Sequence, residues 1–140
     1  MAEVTVNGTI NTDADKVWEL VSDFNGLDEL VEAVVDCTTE GSGIGAVRTL
    51  TLADGGEVKE KLESLHPDQH LLTYSIVASP MPIENYKGTM QVKKVGKGKS
   101  EFIWSSTFDV REGTEQEMKE ALEDLYKLGV EGLQQKFSGE

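Results

Sequence analysis

Residues 3 to 11 alternate, with Val4, Val6, Gly8 and Ile10 on one parity and Glu3, Thr5, Asn7 and Thr9 on the other, which predicts a strand with one buried face. The period then changes. Val17, Trp18, Leu20 and Val21 fall on one side of a helix that Thr12 or Asp13 can cap, and Asn25-Gly26 ends it before a short second helical piece at Leu27 to Glu32. From Val34 to Val110 the pattern is one of strands separated by turns. The breaks are Gly41-Ser42-Gly43, Asp54-Gly55-Gly56, His66-Pro67-Asp68, Ser79-Pro80-Met81-Pro82 and Gly96-Lys97-Gly98, spaced for consecutive antiparallel hairpins. Helical period returns at the end. Thr114 and Glu117 read as a capping box, and Met118, Leu122, Leu125, Gly129, Leu133 and Phe137 recur on one face.

The order predicts an α+β fold: a curved seven-stranded antiparallel sheet around a long C-terminal helix, with two short helices after the first strand. Strands that follow one another without crossover helices argue against a parallel sheet. No repeat or linker breaks the chain, so residues 1 to 140 are expected to form a single domain.

On the central strands the even positions are apolar and the odd ones polar, so the even set is expected to face inward. That set contains two charges, Arg48 and Glu60, on the two strands of one hairpin. With Asp54-Gly55-Gly56 as a three-residue loop, Glu60 would face Leu50 and lie diagonal to Arg48, within reach of long side chains. Inward charges cost several kcal/mol unless matched, roughly in line with other buried ions. Two readings compete. One is a purely structural ion pair, or a register slip that turns both residues outward. The other is a partly hydrated cavity in which they meet the polar group of an apolar ligand, with Tyr74, Tyr86 and Ser106 adding donors.

Composition narrows the classes. The 140 residues carry 13 Lys+Arg against 26 Asp+Glu, a net charge of -13, which disfavours nucleic acid and anionic membrane surfaces as partners. The charge is uneven. Residues 1 to 40 hold 10 acids and 1 base, residues 41 to 100 hold 6 acids and 8 bases, and residues 101 to 140 hold 10 acids and 4 bases. The acidity thus coats the helical ends, while the central strands are near neutral. The single Cys37 excludes an internal disulfide and lacks zinc-ligand spacing, and MAEVTVNGTI has no basic stretch leading into an apolar core. A cytoplasmic protein, monomeric or a weak dimer, with no metal and no cofactor, is expected.

Gly41-Ser42-Gly43-Ile44-Gly45 precedes a strand rather than a helix, so it is a turn and not a dinucleotide fingerprint. Gly98-Lys99-Ser100 lacks the first glycine of a phosphate loop, and Lys93, Lys94, Lys97 and Lys99 read as a solvated hairpin tip. His66 and His70 bracket a turn without a third ligand, and Cys37 reads as a small core residue. Trp18 reads as core.

The segments GSGIGAVRTLTLADGGEVKEKLESL and SPMPIENYKGTMQV, with the order of elements, resemble the polyketide cyclase/dehydrase branch of the START-like (SRPBCC, helix-grip) superfamily across essentially the whole chain. The most specific pieces are Gly45-x-Val47-Arg48, Glu60-Lys61-Leu62, Tyr86 and the strand Phe102 to Phe108. The G-x-V-R, K-E-K-L and E-x-Y-x-x-T-M-Q strands are also similar to those of plant lachrymatory factor synthases. The resemblance implies a cavity between sheet and helix for a small, mostly apolar ligand with a polar or acidic group. It implies catalytic roles for Arg48, Glu60 and Tyr86. Inward parity would line such a cavity with Leu50, Leu62, Tyr74, Ile76, Met90, Trp104, Ser106 and Phe108, and Leu125, Tyr126 and Gly129 of the last helix would roof it. In that setting Glu60 would be the general base or proton shuttle, and Arg48 would hold a developing negative charge. Cyclisation, dehydration or isomerisation needs only these parts, and a non-catalytic carrier would use the same pocket. The layout is similar to plant abscisic acid receptors too. Their S-G-L-P-A gate is replaced here by Leu52-Ala53-Asp54-Gly55-Gly56, and their H-R-L latch by Met81-Pro82-Ile83, so hormone sensing is not implied.

Overall fold

The computed structural model describes residues 2–22, 34–41, 43–53, 55–79, 83–111, 113 and 115–137. Among the described residues, seven strands and two helices follow in the order β1 (Ala2–Ile10), α1 (Ala14–Val21), β2 (Val34–Glu40), β3 (Val47–Leu52), β4 (Glu57–His66), β5 (Leu71–Ala78), β6 (Ile83–Gly96), β7 (Lys99–Val110) and α2 (Glu115–Lys136). All seven strands join one antiparallel sheet in the order β1-β7-β6-β5-β4-β3-β2. The expected helix at Leu27 to Glu32 and the Thr114 capping box lie outside the described residues.

Period-2 patterning sets the faces. Val4, Val6 and Ile10 on β1 and Phe102, Trp104 and Phe108 on β7 are buried, while their neighbours of the other parity point outward. α2 lies across β1 and β7, presenting Leu122, Tyr126, Gly129, Val130 and Leu133 to the sheet. Gly8 permits that approach, since a Cβ there would stand 2.5 Å from Val130 Cγ1. α1 buries Val17, Trp18 and Val21 toward β6 and β7. Asp13 is its N-cap residue, in extended conformation, but the carboxylate makes no cap bond; it accepts the Gly98 N–H at 3.1 Å and so ties the helix start to the β6–β7 turn.

Three local departures from strict alternation matter. The register pairs Lys59 with Ala78 and Glu60 with Ile76, leaving Val77 as an extra residue; this bulge turns Ala78 outward and leaves Ile76 half-buried. A second shift between Glu84 and Lys87, with Asn85 at φ 56°, turns odd-numbered Ile83 inward, where it is buried. The hairpin loop between β3 and β4 is displaced by one residue from the expected one: the Leu52 N–H bonds the Gly56 carbonyl at 2.8 Å, closing a three-residue loop at 53–55. Gly55 there adopts φ 94°, which favours glycine.

Candidate functional site

The displaced loop changes how the two inward charges meet. Arg48 is directly opposite Glu60, and Leu50 opposite Val58, so the pair is a cross-strand neighbour rather than a diagonal one. Arg48 Nε donates to Glu60 Oε1 at 2.7 Å, and Nη2 lies 2.6 Å from the same oxygen. Both residues are buried, at 1% and 6% exposure. The guanidinium carbon also stands 5.3 Å from the centre of the Tyr74 ring, a cation–π arrangement that reaches past β4 to β5.

Beyond that pair lies a second polar cluster. The chain has three tyrosines, and Tyr74 on β5, Tyr86 on β6 and Tyr126 on α2 all meet in it. The Trp104 indole N–H donates to the Tyr74 hydroxyl at 2.7 Å, the Tyr74 and Tyr86 hydroxyls are 2.9 Å apart, the Tyr86 and Tyr126 hydroxyls are hydrogen-bonded, and Tyr126 donates to Ser106 Oγ at 2.9 Å. The Trp104 and Tyr126 rings stack with centroids 4.2 Å apart and planes 16° off parallel. Phe108 stacks on Tyr86 at 6.3 Å. Gly88, the cross-strand partner of Tyr74, gives the ring its space.

The expected site residues therefore divide. Arg48, Glu60, Tyr74, Tyr86, Trp104, Ser106 and Tyr126 form two adjoining buried polar groups, and Leu50, Leu62, Met90 and Phe108 are buried apolar neighbours on the same face. Gly129 is buried on α2, whereas Leu125 is half-buried at the edge of the core. Tyr126, one residue on and about 100° around the helix, takes the inward place. The tyrosines differ from the expectation in one respect: their hydroxyls bond one another. His66 and His70 do not come together as a pair. His66 is exposed, while His70 stacks on Trp18 with centroids 5.5 Å apart and places Nε2 3.1 Å from Asp15 Oδ1, fastening α1 to the β4–β5 turn. Cys37 is buried in the core. Among the described residues no three His, Cys, Asp or Glu side chains gather as a metal site, and no helix is long and apolar enough to cross a membrane.

Burial pushes the Tyr126 hydroxyl up to about 12, and burial reinforced by the neighbouring phenols pushes Tyr74 and Tyr86 well above the usual phenol range. All three stay protonated donors at neutral pH. A group whose folded pKa is raised keeps its proton where the unfolded chain has lost it, so stability is full below pH ~10 and falls as pH rises toward ~12. Tyr126 alone accounts for a loss of about 3 kcal/mol over that interval. Absorbance at 295 nm should accordingly show no tyrosinate in the native protein at pH 10.5, and all three tyrosines should ionise together with unfolding. Separate ionisation of one tyrosine near pH 10 in folded protein would contradict the buried cluster.

A curved antiparallel sheet closed over a long C-terminal helix defines the helix-grip class of the START-like superfamily. The chain belongs within it to the family described as polyketide cyclase/dehydrase and lipid transport, whose pattern matches residues 1–138. It is 28% identical over 135 residues to the abscisic acid receptor PYL2 of Arabidopsis thaliana, covering 89% of this chain and 71% of that protein. Among solved structures, the protein XoxI from Bacillus cereus superposes with a TM-score of 0.93 at 31% identity, covering 99% of this chain and 97% of that one. The Zhui aromatase/cyclase from Streptomyces sp. R1128 shares the fold at 15% identity, with a TM-score of 0.82 over 98% of this chain and 93% of that one.

Proposed function

We propose that this protein binds a small, mostly apolar molecule carrying one polar or acidic group, seated between the concave face of the sheet and α2. The observation that carries the reading is the Arg48–Glu60 pair, buried on the inward face of β3 and β4 among mostly apolar neighbours. Such a pair is weak evidence for stability, because apolar residues of similar volume commonly do as well. A ligand that takes up part of the guanidinium's hydrogen-bonding capacity gives the pair a purpose. The likeness to a receptor for abscisic acid, an acid by name, supports the same ligand class. The net charge of -13 weighs against nucleic acid and anionic membrane as partners. Screening the purified chain against a library of small apolar acids should yield at least one saturable ligand; a library with no binder at millimolar concentration would overturn the reading.

A second reading adds turnover, favoured by the company Glu60 keeps. Its carboxylate is bonded to a guanidinium that itself lies over the Tyr74 ring, and a carboxylate with a cation beside it can move a proton within a bound carbonyl compound. In an isomerisation Glu60 removes a proton from carbon and returns it elsewhere on the same molecule. In a dehydration it delivers that proton to the departing hydroxyl, which leaves as water. The family's description and the aromatase/cyclase that shares the fold agree with this class. Mass analysis of each hit after incubation separates a carrier from an enzyme. For an altered ligand, Glu60→Gln should abolish turnover while affinity stays within a few-fold; undiminished turnover would remove Glu60 from the chemistry.

A further inference from the structure

We propose that Trp104 and Tyr74 are positioning residues that polarise Tyr86, making it the terminal donor to a ligand oxygen, and that Tyr126 occupies the ligand's acceptor position in the resting protein. The inference rests on the binding reading above and names the chemistry of that site: an anionic or carbonyl oxygen on an apolar body.

The number of protons available fixes the direction of the row. An indole N–H only donates, so the Trp104 contact at 2.7 Å makes the Tyr74 oxygen an acceptor. At the other end, Tyr126 gives its single proton to Ser106 Oγ. Having spent that proton, Tyr126 can meet Tyr86 only as an acceptor, so Tyr86 donates to it. Tyr86 has then spent its own proton and must accept from Tyr74 across their 2.9 Å contact. One consistent direction results, Trp104 to Tyr74 to Tyr86 to Tyr126 to Ser106.

Direction has consequences for strength. Each donor is improved by the bond that its own oxygen accepts, and the improvement accumulates along a row in a low-dielectric interior. The Arg48 guanidinium over the Tyr74 ring draws electron density the same way. Four of the five groups sit on β5, β6 and β7, where Tyr74 is opposite Gly88 and Gly88 opposite Ser106, and Tyr86 stands in the register shift between Glu84 and Lys87. Tyr126 comes from α2, the element that packs across the sheet rather than within it. The row is therefore cut at lowest cost between Tyr86 and Tyr126. A ligand oxygen entering there receives the Tyr86 proton with two donors already aligned behind it, an arrangement suited to a phenolate, enolate or carboxylate oxygen.

The test has a spectroscopic arm and a binding arm, and Tyr74→Phe keeps the ring in place for both. In the spectrum of the ligand-free protein, Tyr74→Phe should move the Trp104 indole N–H and the Tyr86 hydroxyl proton upfield, whereas Tyr126→Phe should leave the Trp104 signal in place. A Tyr86 hydroxyl signal that ignores Tyr74→Phe overturns the directed row. For binding, the probes are para-substituted phenols of increasing acidity. Wild type should bind them as phenolates, more tightly as rising acidity increases the ionised fraction at neutral pH, Tyr74→Phe should weaken binding about fivefold, near the worth of one hydrogen bond, and Tyr126→Phe should strengthen it. Phenol binding indifferent to Tyr74→Phe but lost in Arg48→Met overturns this proposal and leaves the binding reading standing. No phenol binding to wild type overturns both.

Discussion

Arg48→Met is expected to destabilise the fold by about 3–5 kcal/mol, because it strands a carboxylate that is only 6% exposed. Glu60→Leu should cost a similar amount by taking its carboxylate partner from the buried guanidinium. The double variant, Arg48→Met with Glu60→Leu, should recover most of that loss, since a packed apolar pair avoids the desolvation of both ions. Urea unfolding of the four proteins closes the cycle, and the coupling should be several kcal/mol, above the range of about 0.5–3 kcal/mol usual for contacting residues. The same four proteins then test function. A double variant that regains stability and loses every small apolar acid found for wild type would show the pair kept for the ligand. A double variant that binds as wild type does would reduce Arg48 and Glu60 to structure. If the double variant is no more stable than the singles, the pair is satisfied by more than its partner, and the direct Arg48–Glu60 account of the site fails.

Much of this site could be read from one strand parity. Arg48 and Glu60 stood out because an even-numbered position on an inward face is a poor place for a charge, and the structure buries both. Their mutual geometry could not be read, because Gly55 and Gly56 are equally plausible turn residues on paper and only Gly55 takes the left-handed conformation. A shift of one residue there moves Glu60 from Leu50 to Arg48. Parity also failed at Ala78 and Ile83, since alternation carries no mark of the bulges that reset it. The tyrosine row was half legible. Tyr74 and Tyr86 share the inward parity and Tyr126 lies beside the apolar stripe of α2, so their convergence was available as a coincidence of three. What no one-dimensional pattern carries is that Trp104 and Ser106, two residues apart on β7, bracket all three hydroxyls.

Gly88→Ala is expected to cost 1–3 kcal/mol, roughly the range for an overpacked core and toward its upper end. A Cβ at that position would stand 2.3 Å from Tyr74 Cζ and 2.6 Å from its hydroxyl oxygen. Contacts that close must be relieved by movement. Tyr74 has little freedom to move, since its hydroxyl is held by Trp104 and Tyr86 and its ring lies beneath Arg48. Relief therefore comes at the expense of the hydrogen bonds, and the Trp104 indole is left buried without an acceptor, itself worth about 1–3 kcal/mol. Two measurements separate this account from a general intolerance of β-branching or bulk on β6. In the background of Tyr74→Ala, where the obstructing ring is gone, Gly88→Ala should cost almost nothing by urea midpoint. In the wild-type background it should shift the Trp104 indole N–H signal in the same direction as Tyr74→Phe. A full cost in both backgrounds would place the clash elsewhere. A stable Gly88→Ala protein with an unmoved indole signal would mean that Tyr74 is not held where the directed row requires it, and the donor strength argued for Tyr86 would have no structural basis.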